Sequence, residues 1–216
     1  MDPHSAVDPQ STYDRIAVHF SKTREYAWPE VESFLDGRTA TRALDLGCGN
    51  GRHAELLADR ADAVVGVDLS RELLREAVTR ARKRGYDQTA SFVHGDAATL
   101  PLATDAVGLA VYVAALHHLP SREARVRSLD ELARVLAPGG TALVSAWSTA
   151  HDRFDREAGF DTTVDWTLPG GETVPRYYHI YSPEEFETDL AESALETVEA
   201  GVSSGNCYAA VTVLDG

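Results

Sequence analysis

Cysteine and lysine are both scarce in this 216-residue chain: the cysteines are Cys48 and Cys207, and the lysines are Lys22 and Lys83. The two cysteines are far apart, with no further Cys or His at ligand spacing, which excludes a disulfide framework and a zinc site. Basic charge therefore rests on arginine, and Lys plus Arg total 20 against 34 Asp plus Glu, a net charge of −14. Such a surface resembles that of a halophile, holding hydration in strong salt, and it repels phosphate. Any nucleic acid would have to be met by a local arginine cluster, by base stacking or by a partner. No apolar run approaches the roughly 20 residues of a membrane span. The polar start, Met1 to Ser5, lacks the basic and apolar regions of a signal peptide, so a soluble, cytoplasmic protein is expected. The length suits one well-buried domain with modest additions, over 11–216, after a poorly ordered tail at 1–10.

Glycine, by contrast, is concentrated. Ala43 to Leu46 is a short apolar run carrying Asp45, and it breaks into Gly47-Cys48-Gly49-Asn50-Gly51. That pattern is a strand entering a turn whose missing Cβ atoms let a flat polar ligand lie on the backbone, with a helix starting at Arg52. The dinucleotide fingerprint sets its third glycine three residues after the second. Here only Asn50 separates Gly49 from Gly51, which argues against NAD. A β-branched run, Ala63 to Val67, ends on Asp68, where a carboxylate can accept ribose hydroxyls. A third acidic turn follows at Gly95-Asp96-Ala97.

These three stretches resemble the successive binding motifs of class I S-adenosylmethionine-dependent methyltransferases, over residues 43 to about 147. The resemblance implies an α/β fold: a Rossmann-like, seven-stranded, mostly parallel sheet in the order 3-2-1-4-5-7-6, with strand 7 antiparallel. It implies S-adenosylmethionine as cofactor, with Gly47, Gly49 and Gly51 against its amino-acid end, Asp68 on the ribose, and Asp96 with Ala97 at the adenine. Tyr13, Arg24, Asp45, Asn50, Leu69 and Val113 complete the cofactor set it suggests.

The flanks carry a second resemblance. Tyr13, Ile16, Ala17 and Phe20 fall at helical spacing, and Pro29 opens a helix to Leu35 with Val31, Phe34 and Leu35 inward, so residues 11–40 form N-terminal helices. Between them, the Tyr13 to Pro29 wording, with Arg24 and Trp28, is similar to the N-terminal signature of tRNA methyltransferases that esterify carboxymethyluridine at the wobble position. So is Arg176-Tyr177-Tyr178-His179-Ile180-Tyr181, which follows an aperiodic insertion or lid at 148–175. That family implies tRNA as substrate and a small zinc-ribbon activator, here expected at the edge strand near Phe92 and Val93. Arg24, His117, Arg176, Tyr177 and His179 become candidates for holding the acceptor carboxylate and its uracil, with Tyr178 as the alternative to Tyr177 for stacking on the uracil and His117 preferred over His118 on the substrate side.

Elsewhere, Ser70 caps a helix Arg71–Arg84 ending at Gly85, and Asp105–Val113 is a strand. Arg122–Leu136 is a helix with Val126, Leu129, Leu132, Val135 and Leu136 inward, and Thr141–Trp147 is a strand. A helix Pro183–Ala194 and strands 196–202 and 206–213 close the sheet. After the fourth strand there is no Asp/Asn-Pro-Pro-Tyr for amino methylation and no catalytic Pro-Cys for base C5 methylation. Two lysines cannot build the Lys-Asp-Lys-Glu set of ribose methylation. What remains is an acidic oxygen on tRNA or, as the alternative, a small-molecule carboxyl or O-methyltransferase.

Overall fold

The computed structural model describes residues 7–213. Strands β1 (Ala40–Leu46), β2 (Ala61–Asp68), β3 (Ala90–His94), β4 (Val107–Val113), β5 (Leu136–Trp147), β8 (Glu196–Ser203) and β9 (Asn206–Thr212) form one sheet in the order β3-β2-β1-β4-β5-β9-β8. The first five pair in parallel, and β9 runs antiparallel to β5 and β8. This is the expected order. The labels differ because 148–175, which lacks helical periodicity, and the residues after it fold as an inserted antiparallel hairpin, β6 (Phe160–Thr167) and β7 (Thr173–Ile180).

Period-two alternation divides the core between the sheet's faces. Along β4, Leu109, Val111 and Val113 join a cluster with Leu35, Ala54 and Leu57, from helices α2 (Pro29–Leu35) and α3 (Arg52–Ala58). Ala110 and Tyr112 join the opposite cluster with Leu129, Leu132, Phe186 and Leu190, from α5 (Arg122–Val135) and α6 (Pro183–Glu192). Helix α4 (Arg71–Arg84) begins on the Ser70 hydroxyl, which accepts the Leu73 N–H, and stops at Gly85 in the left-handed region.

Several boundaries move for local reasons. Pro9 and Gln10, expected in the tail, open α1 (Pro9–Lys22), because the Asp8 carboxylate accepts the backbone N–H groups of Gln10 and Ser11; residues 1–6 lie outside the described residues. Leu136 ends no helix but starts β5, whose Pro138-Gly139-Gly140 makes a register shift against β4. The buried stripe of α5 holds Arg125 and Ser128, with Val126 only half-buried. Arg125 is accommodated by the Tyr181 ring and by Asp189 and Glu185.

Candidate functional site

At the C-terminal ends of β1, β2 and β4 lies a cavity of about 470 Å³. Its floor is the glycine turn, held by N–H groups of Gly47 and Cys48 donating to the Val67 carbonyl. Gly47 has a φ of 67°, and a Cβ there would overlap that of Ala115. Ala114 sits at a φ of 56°, a position alanine occupies only at a cost of about 1–2 kcal/mol, and it lies on the cavity wall. The Asp68 carboxylate accepts the Gly49 N–H at 2.8 Å through one oxygen and the Ser70 N–H at 2.8 Å through the other. Its remaining lone pairs line the cavity, and burial raises its pKa. Leu69, Leu73, Ala97, Ala98 and Tyr112 supply apolar walls, and Asp96 lies at the rim. A bare-backbone cradle, a buried carboxylate and an apolar slot ending on a second acid fit the amino-acid, ribose and base portions of a nucleoside such as S-adenosylmethionine.

Of the residues read from sequence, Tyr13, Gly47, Gly49, Asp68, Leu69, Asp96 and Ala97 line this cavity, and Arg24, Asp45, Asn50, Gly51 and Val113 do not. Val113 points to the opposite face of the sheet by the alternation that brings Tyr112 in. Gly51 closes the turn against α4, and its carbonyl accepts the Tyr86 hydroxyl. Asn50 is buried under the segment after α1 and donates its amide to the carbonyls of Ser21 and Arg24, pinning that segment. Asp45 lies behind the turn, where one carboxylate oxygen accepts the Ala54 N–H at 2.8 Å and the other has no partner.

Burial raises the Asp45 carboxyl to about 7, against a lowering by the Ala54 N–H and Arg52. Between about pH 4 and about pH 7 the folded state keeps a proton that the unfolded chain has released, so this group makes stability fall as pH rises and go flat above that window. Asp45→Asn is expected to remove that slope, at most about 4 kcal/mol, and to match wild-type stability best at the acidic end. Denaturant midpoints of the two proteins across pH 4 to 7 test it, and parallel curves would refute it.

The second half of the site is aromatic. His118 lines the cavity; its Nδ1–H donates to the Tyr177 carbonyl at 2.9 Å, which leaves Nε2 to accept the Tyr13 hydroxyl at 2.8 Å. Burial, with Arg176 nearby, holds His118 down to about 4, so it is neutral at pH 7. His117, preferred from sequence, is sealed at 1% exposure. It accepts the Trp147 N–H on Nδ1 and stacks on Tyr178 at 4.8 Å. Burial and the neighbouring His118 and Arg176 keep it neutral as well.

Strand β7 turns its residues alternately to two sides. Arg176 and Tyr178 face the histidines; the Arg176 Nη1–H donates to the Tyr178 hydroxyl at 2.6 Å, and the guanidinium lies 4.9 Å from the Trp166 ring centroid. Arg24 approaches the same Trp166 ring at 5.5 Å. Among the described residues neither arginine forms an ion pair, and the Arg176 Nε is buried without a partner. Tyr177 and His179 face the other way. The Tyr177 hydroxyl donates to Asp161 at 2.8 Å, while the His179 ring bridges Asp161 at 2.7 Å and Glu185 at 2.9 Å, latching the hairpin to α6. Those two therefore hold the hairpin in place, and of the two tyrosines that the sequence offered as alternatives, Tyr178 is the one on the side of Arg176. The strand period of two, applied from Arg176, selects Tyr178 over both.

A family profile described as "Methyltransferase domain" matches residues 43–140. A protein of Encephalitozoon cuniculi that carries a methyltransferase name is 31% identical over 205 residues, covering 91% of each chain. The tRNA (carboxymethyluridine(34)-5-O)-methyltransferase of Arabidopsis thaliana is 33% identical over 65% of this chain, which spans only 32% of that relative's length. Among solved structures, the methyltransferase in complex with the Haloferax volcanii Trm112 activator shares the fold, with a TM-score of 0.70 at 16% identity over 97% of this chain and 99% of that one. With the strand order, the glycine cradle and the cavity that ends on Asp68 and Asp96, these likenesses agree: the chain belongs to the class I S-adenosylmethionine-dependent methyltransferases.

Proposed function

We propose that this enzyme esterifies the carboxylate of 5-carboxymethyluridine at the wobble position of tRNA. Arg176 carries the reading. It is a guanidinium 6% exposed, without an ion pair among the described residues, beside the Tyr13–His118 wall of the cofactor cavity. A buried cation without a counter-ion costs several kcal/mol, and a carboxylate arriving as acceptor would offset that cost through paired N–H donors. The name of the Arabidopsis thaliana relative agrees with this chemistry.

S-adenosylmethionine, when bound, supplies a methyl group on a sulfonium, which an already ionised carboxylate can attack without a general base. Gly47, Gly49, Asp68, Asp96 and Ala97 would hold it, with Asp45, Asn50, Gly51 and Val113 shaping the turn from behind. The chain's own task is alignment and exclusion of water. Arg176, with Arg24 at the same Trp166 ring, fixes the carboxylate; Tyr178, buried and stacked on His117, positions Arg176 by accepting its N–H on the hydroxyl.

In this reading the enzyme acts in the cytoplasm with a small zinc-ribbon activator that extends the sheet at β3, beside Val93. The complex of the Haloferax volcanii neighbour agrees with such a partner. Phe92 would support that edge from inside, since its ring lies under Gly51 and Gly66. A small-molecule carboxyl or O-methyltransferase is the second reading, favoured by the net charge of −14. Labelled S-adenosylmethionine and tRNA lacking the wobble ester, with and without the activator, separate them. Label in tRNA that leaves as methanol in mild alkali is expected. Alkali-stable label would move the chemistry to nitrogen, carbon or an ether oxygen, and label only in small carboxylic acids would select the second reading.

A further inference from the structure

The segment joining α1 to α2 alternates cations and rings: Lys22, Arg24, Tyr26 and Trp28. Trp28 packs against the core and Arg24 against the Phe20 and Trp166 rings, and the backbone between them is held by side chains from other elements. The Asn50 amide donates to the Ser21 and Arg24 carbonyls, Arg80 donates to the Glu25 carbonyl at 2.6 Å, and Arg52 donates to the Tyr26 carbonyl at 3.4 Å. Tyr26 is 80% exposed, the most exposed large apolar side chain among the described residues, and neither its ring nor its hydroxyl has a partner there.

The charges beside it are also unsatisfied. Glu25 and Glu55 neutralise Arg80 and Arg84, which leaves Arg24 and Arg52 as neighbouring cations without an ion pair among the described residues; Arg52 feels the buried Asp45 carboxyl and lies 5.2 Å from the Trp28 ring centroid. Burial and the Arg24 charge lower Arg52 to about 10. The strip continues the acceptor site, because Arg24 meets Trp166, which meets Arg176. Two residues of extended chain span at most about 7 Å, so the Tyr26 backbone lies no farther than that from the backbone of Arg24.

We propose that residues 22–28 with Arg52 form a docking strip for the unpaired RNA next to the acceptor nucleotide, with Tyr26 stacking on a flanking base and Arg52 on its phosphate. An exposed ring flanked by arginines suits a single strand, whose free bases present faces to stack, and not a duplex. The inference rests on the acceptor being an RNA nucleotide.

The test is methyl transfer by the full chain, with its activator where turnover needs it, to an anticodon stem-loop bearing the carboxymethyl group. Tyr26→Ala is expected to raise KM for the RNA about tenfold, and Tyr26→Phe, which keeps the face, to stay within about twofold of wild type. Arg52→Gln is expected to flatten the slope of log affinity against log salt by about 0.7. Cofactor affinity and thermal midpoint should not move in Tyr26→Ala, because the side chain packs on nothing. Wild-type transfer with an unchanged KM and salt slope in the variants overturns the strip alone. Failure of the wild-type chain to label the RNA overturns the RNA reading and the strip with it.

Discussion

Arg176→Ala is expected to lower kcat/KM for the acceptor by about a hundred- to a thousandfold, the range for removing one partner of a buried charge pair. Cofactor affinity should stay near wild type, since Arg176 does not line that cavity. The same substitution is expected to leave the apo protein as stable or raise its thermal midpoint. Arg176 is 6% exposed, its Nε has no partner, and among the described residues no carboxylate pairs with it, so deletion removes a desolvation cost along with the rings' cation–π contacts. Arg176→Lys should not recover turnover. An ammonium keeps the charge but cannot present two parallel N–H groups to a carboxylate or lie flat against Trp166 and Tyr178. Steady-state kinetics, calorimetric cofactor binding and thermal melts on the three proteins make the test. An Arg176→Ala enzyme with normal turnover would remove Arg176 from the clamp, and one with normal turnover that melted early would make it a packing residue.

Gly47→Ala is expected to cost about 2–5 kcal/mol of stability and to abolish measurable cofactor binding, whereas Gly37→Ala should cost only about 1–2 kcal/mol and leave binding intact. Both glycines have nearly the same backbone, with φ of 67° and 68°, so an alanine meets the same left-handed strain at each. They differ in surroundings. A Cβ at Gly37 has nothing within 4 Å, but one at Gly47 overlaps Ala115, which cannot retreat because Ala114, itself at positive φ, holds the backbone of that turn. The difference between the two variants isolates the overlap from the strain. Equal melting shifts would show that the cradle relaxes freely and that its close approach to Ala115 does not matter.

The histidine pair and β7 show where sequence reasoning ran out. His117 and His118 are adjacent in a short turn, and nothing local decides which faces the cavity; the choice was made by the Trp147 N–H and the Tyr177 carbonyl, from strands 30 and 59 residues away. The Arg176 to Ile180 run, rich in polar and aromatic residues, has no sequence pattern that marks it as a core strand. It is one because its polar groups find partners across space in Asp161 and Glu185. Asn50 and Val113 were placed in the cofactor set by position in a motif, and their side chains turned elsewhere by geometry the motif does not encode.

By itself the sequence determined what short-range physics controls: the glycine turn after β1, the acid ending β2, the Ser70 cap and Gly85 stop of α4, and with them the family and the cofactor. These depend on backbone angles and hydrogen bonds within a few residues, or on a motif spacing that is set by the fold's own connectivity. Tertiary structure decided everything that depends on which side a group faces and what lies opposite it. It sealed His117, set His118 against Tyr13, committed His179 to a latch, and left Arg24 and Arg176 on one tryptophan with no ion pair among the described residues. Electrostatic satisfaction is a sum over neighbours from the whole chain, so an uncompensated arginine becomes visible only when the chain is folded.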